Sequence, residues 1–130
     1  MYRHWDEFQG VPNKFRRDTP HVTINKKGVI LMNSIAYEAF GKPEAVRLLF
    51  DRTHSTIGLR PSSADAPNAF PVRNKDNDLN RVVHANPFCR HYGIKVDRTM
   101  AFKKIETDES GLLLLDLRSA TEAGKGGWSA

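Results

Sequence analysis

The side chains best suited to chemistry in this 130-residue chain are one cysteine and five histidines, and their spacing argues against joint action. His4, His21, His54, His84 and His91 are scattered, and only Cys89-Arg90-His91 brings two candidate groups close together. A helix is expected there, and residues two apart on a helix face different sides, which suits neither metal ligation nor a nucleophile–base pair. Cys89 is expected to be buried and His91 exposed. No strained nucleophile turn or oxyanion signature surrounds the cysteine. Adjacent carboxylates occur at Asp6-Glu7 and Asp108-Glu109, both in polar, solvated surroundings. Gly124-Lys125-Gly126-Gly127 is glycine-rich, but no helix follows it to complete a phosphate cradle. These patterns point to a non-enzymatic protein with no catalytic, metal or cofactor site.

The remaining chemistry is charge. The formal net charge is +5, with ten basic and six acidic residues in 1–61 against ten and nine in 62–130. The basic excess therefore sits in the first half, and such a field attracts polyanions. A single cysteine excludes an intramolecular disulfide and fits a reducing compartment. No apolar run approaches the roughly 20 residues that a membrane span needs. Trp5-Asp6-Glu7-Phe8 stands where a signal peptide would carry its apolar segment. The expected location is cytoplasmic.

Short strands and helices must position these charges. Residues 1–20 read as an extended N-terminal arm, with Trp5, Phe8 and Phe15 as anchors and Arg16-Arg17 as further cations. In 21–32, Val22 and Ile24 alternate with Thr23, Asn25-Lys26-Lys27-Gly28 supplies a turn, and Val29-Ile30-Leu31-Met32 returns. Asn33 or Ser34 caps a short helix ending at Gly41. Strands over 45–50 and 56–60 form a hairpin around 51–55, and residues 62–69 are a small-residue linker. Phe70–Arg73 is a strand whose Pro71 confines it to an edge, followed by a loop at 74–80 and a strand over 81–84. Asn86 caps, and Pro87 opens, a second helix ending at Gly93. Strands over 99–105 and 112–117 flank an acidic turn, and 119–130, with Trp128, is a flexible C-terminal tail.

That order is an internal repeat. Phe40-Gly41 and Tyr92-Gly93 each end a helix, and each is followed by a polar stretch and a hairpin finishing in Leu59-Arg60 or Leu117-Arg118. One such unit cannot cover its own sheet faces, whereas two can cover each other. The expectation is a mostly-β α+β fold with units at 21–61 and 70–118.

The first unit, HVTINKKGVILMNSIAYEAFGKPEAVRLLFDRTHSTIGLRP, resembles the AbrB-like swapped-hairpin family: strand, glycine turn, returning apolar strand, short helix, hairpin. The two-unit chain is similar to the tandem arrangement of MraZ-type regulators. The resemblance implies an interlocked pseudo-dimeric β-barrel and binding of double-stranded DNA by a transcription regulator or antitoxin-like protein. It implies contacts from Lys26 and Lys27, from Arg47, Arg52 and Arg60, and from their counterparts Arg73, Lys75 and Arg81. Basic residues on turns reach phosphates and release counterions. Two departures from the family pattern stand out. Met32-Asn33 occupies the place of a proline before the first helix, and that helix lacks Lys or Arg. Edge strands of this architecture would also support a homodimer.

The alternative expectation is a protein-binding adaptor or phage-type accessory protein on the same scaffold, engaging a partner through the Trp5/Phe8 arm. RNA binding would need exposed aromatics on a sheet face, and its one candidate, Phe102, is expected in the core.

Overall fold

Val22 and Ile24 pair with Met32 and Ile30 across the first hairpin, and all four side chains are at most 1% exposed. Period-2 alternation thus places one face of this hairpin in the core. The structure, a computed structural model, describes residues 19–75, 77 and 79–123. The expected anchors Trp5, Phe8, Phe15 and Trp128, together with Arg16-Arg17, lie outside the described residues.

The first half runs β1 (Val22–Ile24), β2 (Val29–Asn33), α1 (Ser34–Ala39), β3 (Ala45–Asp51) and β4 (Thr56–Ser62). The second runs β5 (Ala69–Pro71), β6 (Arg73–Lys75), β7 (Asn80–His84), α2 (Asn86–Tyr92), β8 (Met100–Ala101), β9 (Ile105–Thr107) and β10 (Leu113–Asp116). A 3₁₀ turn, Leu117–Ser119, leads to β11 (Thr121–Glu122). The fold is mostly-β α+β, with two antiparallel sheets and two short helices.

One sheet has the order β11-β8-β1-β2-β7-β6 and the other β5-β3-β4-β10-β9. Each half places one hairpin in each sheet, and each sheet joins the halves through an antiparallel pair. β2 pairs with β7 from Val29↔His84 to Asn33↔Asn80, and β4 pairs with β10 from Leu59↔Leu113 to Thr56↔Asp116. The run β1-β2-β7-β6 of one sheet and the run β3-β4-β10-β9 of the other therefore read the same after the halves are exchanged.

Both sheets and both helices feed one core. Ile57, Leu59, Leu113 and Leu115 come from the second sheet, Ala36 and Phe40 from α1 and its C-cap, and Phe88 and Cys89 from α2. Burying an aliphatic or aromatic side chain of this size contributes about 1.5–3 kcal/mol. Packing, then, holds helices of only six and seven residues that would not persist alone. Asn33 Oδ1 accepts from Ala36 N at 2.9 Å and from His21 N at 3.1 Å, while Nδ2 donates to Thr19 O at 3.0 Å. This buried side chain is both helix cap and tie to the segment before β1.

The structure departs from expectation in several places. No closed barrel forms among the described residues. The strand expected over Phe70–Arg73 is split at Val72, whose N–H donates to Glu44 O, so β5 lies in one sheet and β6 in the other. The strand expected over 99–105 is likewise split, around buried Phe102, whose N–H donates to Val22 O. Both bonds continue the register of the ladder before the break, Glu44 falling opposite Val72 and Val22 opposite Phe102, and the chain passes to the other sheet only after them. Pro71 lies on edge strand β5, where its missing N–H costs no ladder bond. Asn86 is not the cap of α2. Ala85 holds that position, and Asn86 Nδ2 donates instead to Lys27 O at 3.1 Å. Thr121–Glu122, expected in the flexible tail, pairs with β8. No described helix is long and apolar enough to cross a membrane.

Candidate nucleic-acid interface

The Lys26-Lys27 tip is built by Asn25. Its Oδ1 accepts from Lys27 N and Val29 N, both at 2.9 Å, and its carbonyl accepts from Gly28 N at 2.9 Å. Gly28 has φ +78°, a left-handed conformation that glycine adopts without penalty. Both lysines are exposed. The tip is fastened to the other half: Ala85 N donates to Gly28 O at 2.9 Å, and a Cβ on Gly28 would stand 2.8 Å from Asn86 Cα.

On the second sheet, Arg47 and Arg60 are directly opposite one another, Arg47 exposed and Arg60 half-buried. Like charges in a cross-strand pair repel, so this pair costs stability in the absence of an anion. Asp108 stands within Arg60's field. Its carboxyl is held below the usual carboxylate range, first by the Ser110 hydroxyl at 2.7 Å, then by backbone donors, and least by Arg60.

Arg73 and Lys75 are exposed on β6, an edge of the first sheet, with Arg73 opposite Val82 and Lys75 opposite Asn80. Two of the eight cations are held by aromatic rings. The Arg52 guanidinium lies 5.1 Å from the Tyr92 ring centre, and that of Arg81 lies 4.6 Å from Tyr37. Each tyrosine belongs to the helix of one half and holds an arginine of the other. Arg81 also donates to Asn80 O at 3.3 Å and is half-buried, so its guanidinium is committed to packing. The aromatic-glycine helix ends mark Tyr92 in the sequence, but nothing there signals that either tyrosine receives an arginine.

The eight residues thus form separate groups. Lys26-Lys27 stands at the end of the first sheet where Val29 meets His84, and Lys75 at the end where Asn33 meets Asn80. Arg47 and Arg60 lie on the second sheet, where Arg47 pairs with Ala69 on β5, while Arg73 lies on β6 of the first. None of Lys26, Lys27, Arg47, Arg73 and Lys75 is ion-paired with a carboxylate among the described residues.

The other reactive groups have local roles. His54 Nδ1 lies 2.7 Å from Asp51 Oδ2 in the β3–β4 turn, and this bond lowers the Asp51 carboxyl. Burial pushes the Cys89 thiol up, leaving it protonated and a poor nucleophile. Among the described residues, no three His, Cys, Asp or Glu side chains are grouped as metal ligands. Compared with known protein families, curated proteins and solved structures, the chain finds no match.

Proposed function

We propose that the chain is a non-enzymatic, AbrB-like pseudo-dimer that binds duplex DNA through its phosphates, as a regulator or antitoxin-like protein does. The observation that carries this reading is the Arg47–Arg60 pair, two guanidinium-bearing side chains opposed across a ladder. An anion between them would turn a repulsive pair into a clamp, and arginine is the side chain best shaped for phosphate. The exchange-symmetric strand order supports the swapped-hairpin resemblance, since each half lends one hairpin to each sheet. The Lys26-Lys27 tip and the β6 pair Arg73 and Lys75 supply further backbone contacts; Arg52 and Arg81 position the helices through their tyrosines.

Fluorescence anisotropy with a mixed-sequence duplex at low salt tests the proposal. Binding is expected at tens of micromolar protein or below, since non-specific binders reach dissociation constants of about 10⁻⁴–10⁻⁶ M even at physiological salt. Arg47→Gln/Arg60→Gln removes both charges together with the repulsion between them. It should weaken binding at least tenfold and reduce the slope of log K against log salt by about 1.8. No binding at low salt, or a double variant indistinguishable from the parent, refutes the assignment.

A second reading is an adaptor on this scaffold. Leu49, 37% exposed, lies in one cross-strand row with Gly58 and Leu114 on the outward face of the second sheet. A stoichiometric protein partner that survives nuclease treatment and is lost in Leu49→Arg would favour it. The Trp5/Phe8 arm expected to serve such a partner lies outside the described residues.

A further inference from the structure

We propose that the groove between the β1–β2 turn and α2 binds a small organic anion with an apolar body. The groove encloses about 480 Å³ and is lined from both halves of the chain. That volume falls in the range of small-molecule sites, about 300–1,000 Å³. On the helix side the lining residues are Asn86, Cys89, Arg90 and Gly93, spaced i, i+3, i+4 and i+7, so one whole face of α2 forms the wall.

The lining is divided by chemistry. Ile24, 1% exposed, and Cys89, 5% exposed, make an apolar floor with half-buried Val96. Lys26, Arg90 and Lys95 are exposed around it, and none is ion-paired with a carboxylate among the described residues. The one carboxylate of the lining, Asp97, acts on the neighbouring Arg98 guanidinium, whose main partner is Glu122. Three cations against one carboxylate favour an anion, and the floor favours a ligand that also carries hydrophobic surface. A DNA backbone would meet the rim but has nothing to place against Ile24, Cys89 and Val96. The recess therefore fits a small amphiphilic anion, an aromatic or aliphatic sulfonate, phosphate or carboxylate. The groove shares Lys26 with the proposed DNA contacts, so its test varies Arg90 and Lys95, which are outside them.

The test titrates the folded full-length chain with 1-anilinonaphthalene-8-sulfonate, with its neutral counterpart N-phenyl-1-naphthylamine, and with inorganic sulfate. The sulfonate is expected to bind saturably at one site. The neutral dye, and the sulfonate on Arg90→Glu/Lys95→Glu, should each bind at least about tenfold more weakly, a difference of about 1.4 kcal/mol. Sulfate alone should not saturate at millimolar concentration. Circular dichroism checks that the double variant is folded. More than one dye site, equal affinity of the neutral dye, or indifference to the double substitution would each overturn the site. Loss of DNA binding with dye binding intact would sink only the DNA proposal.

Discussion

Gly28 concentrates what one residue contributes to this fold. Its place in a polar turn is readable from Asn25-Lys26-Lys27-Gly28, but its second duty is not. The backbone of Asn86, 58 residues away in sequence, lies so close that no side chain fits between them. Asn86 misleads for the same reason: the Asn-Pro pair reads as a helix cap, yet its amide is claimed by Lys27 O across the contact. Local propensity cannot register a neighbour that the topology supplies. Gly93 makes a useful contrast, with φ +69° and open space where a Cβ would stand. Gly93→Ala should cost only the left-handed strain of an L-residue, about 1–2 kcal/mol. Gly28→Ala adds overpacking against Asn86, about 1–3 kcal/mol more, for a total of about 2–5 kcal/mol. Urea unfolding of the two variants checks the ranking. Equal losses would mean that the Gly28–Asn86 contact yields without cost.

At the scale of elements, the hairpins were legible and the crossings between sheets were not. The apolar alternation of Val22–Ile24 and the run Leu112–Leu117 announce strands, and Asn33 ahead of Ile35 and Ala36 announces a cap; each has a local cause. Val72 and Phe102 leave no such mark, because the choice between continuing a ladder and stepping to the other sheet depends on Glu44 and Val22, far off in sequence. The β9–β10 connection shows how much a turn depends on one carboxylate. Asp108 Oδ1 accepts from Ser110 N at 2.9 Å, Ser110 Oγ at 2.7 Å and Leu112 N at 3.0 Å, and these donors hold its acidity below the ordinary value. A carboxyl depressed in the folded chain contributes stability above its unfolded pKa, and that contribution disappears as pH falls through the folded value. Asp108→Asn keeps an acceptor for the turn while removing the titration. The variant should therefore melt below the parent at neutral pH, and the gap should close between about pH 5 and pH 2. Melting temperatures across that range provide the measurement; a gap independent of pH would show that the charge contributes nothing. Asp51 and Asp116, lowered by His54 and by the Arg118 backbone, keep titrating in both proteins and cancel from the comparison.

For the whole molecule, the repeat was the strongest message in the sequence, and the strand order gives it a mechanical meaning. If the halves were two domains, each would keep its hairpins to itself. Instead β2 meets β7 in one sheet and β4 meets β10 in the other, so either half alone would leave both ladders with a bare edge and would divide the core cluster that Ile30, Leu59, Val83 and Leu115 share. The barrel implied by the family resemblance does not close among the described residues. The exchange of hairpins does not depend on closure, and it has a consequence that fragments can test. Residues 1–65 alone should have no folded monomer, since the apolar area a half exposes is too large to leave in water. Any structured form of that fragment should be a homodimer in which β2 and β4 pair with their own copies, taking the places of β7 and β10. Mixed with residues 66–130, it should give a 1:1 complex with the circular dichroism of the intact chain. Analytical ultracentrifugation with circular dichroism distinguishes these outcomes, and a half that unfolds cooperatively as a monomer would refute the claim that the two depend on each other.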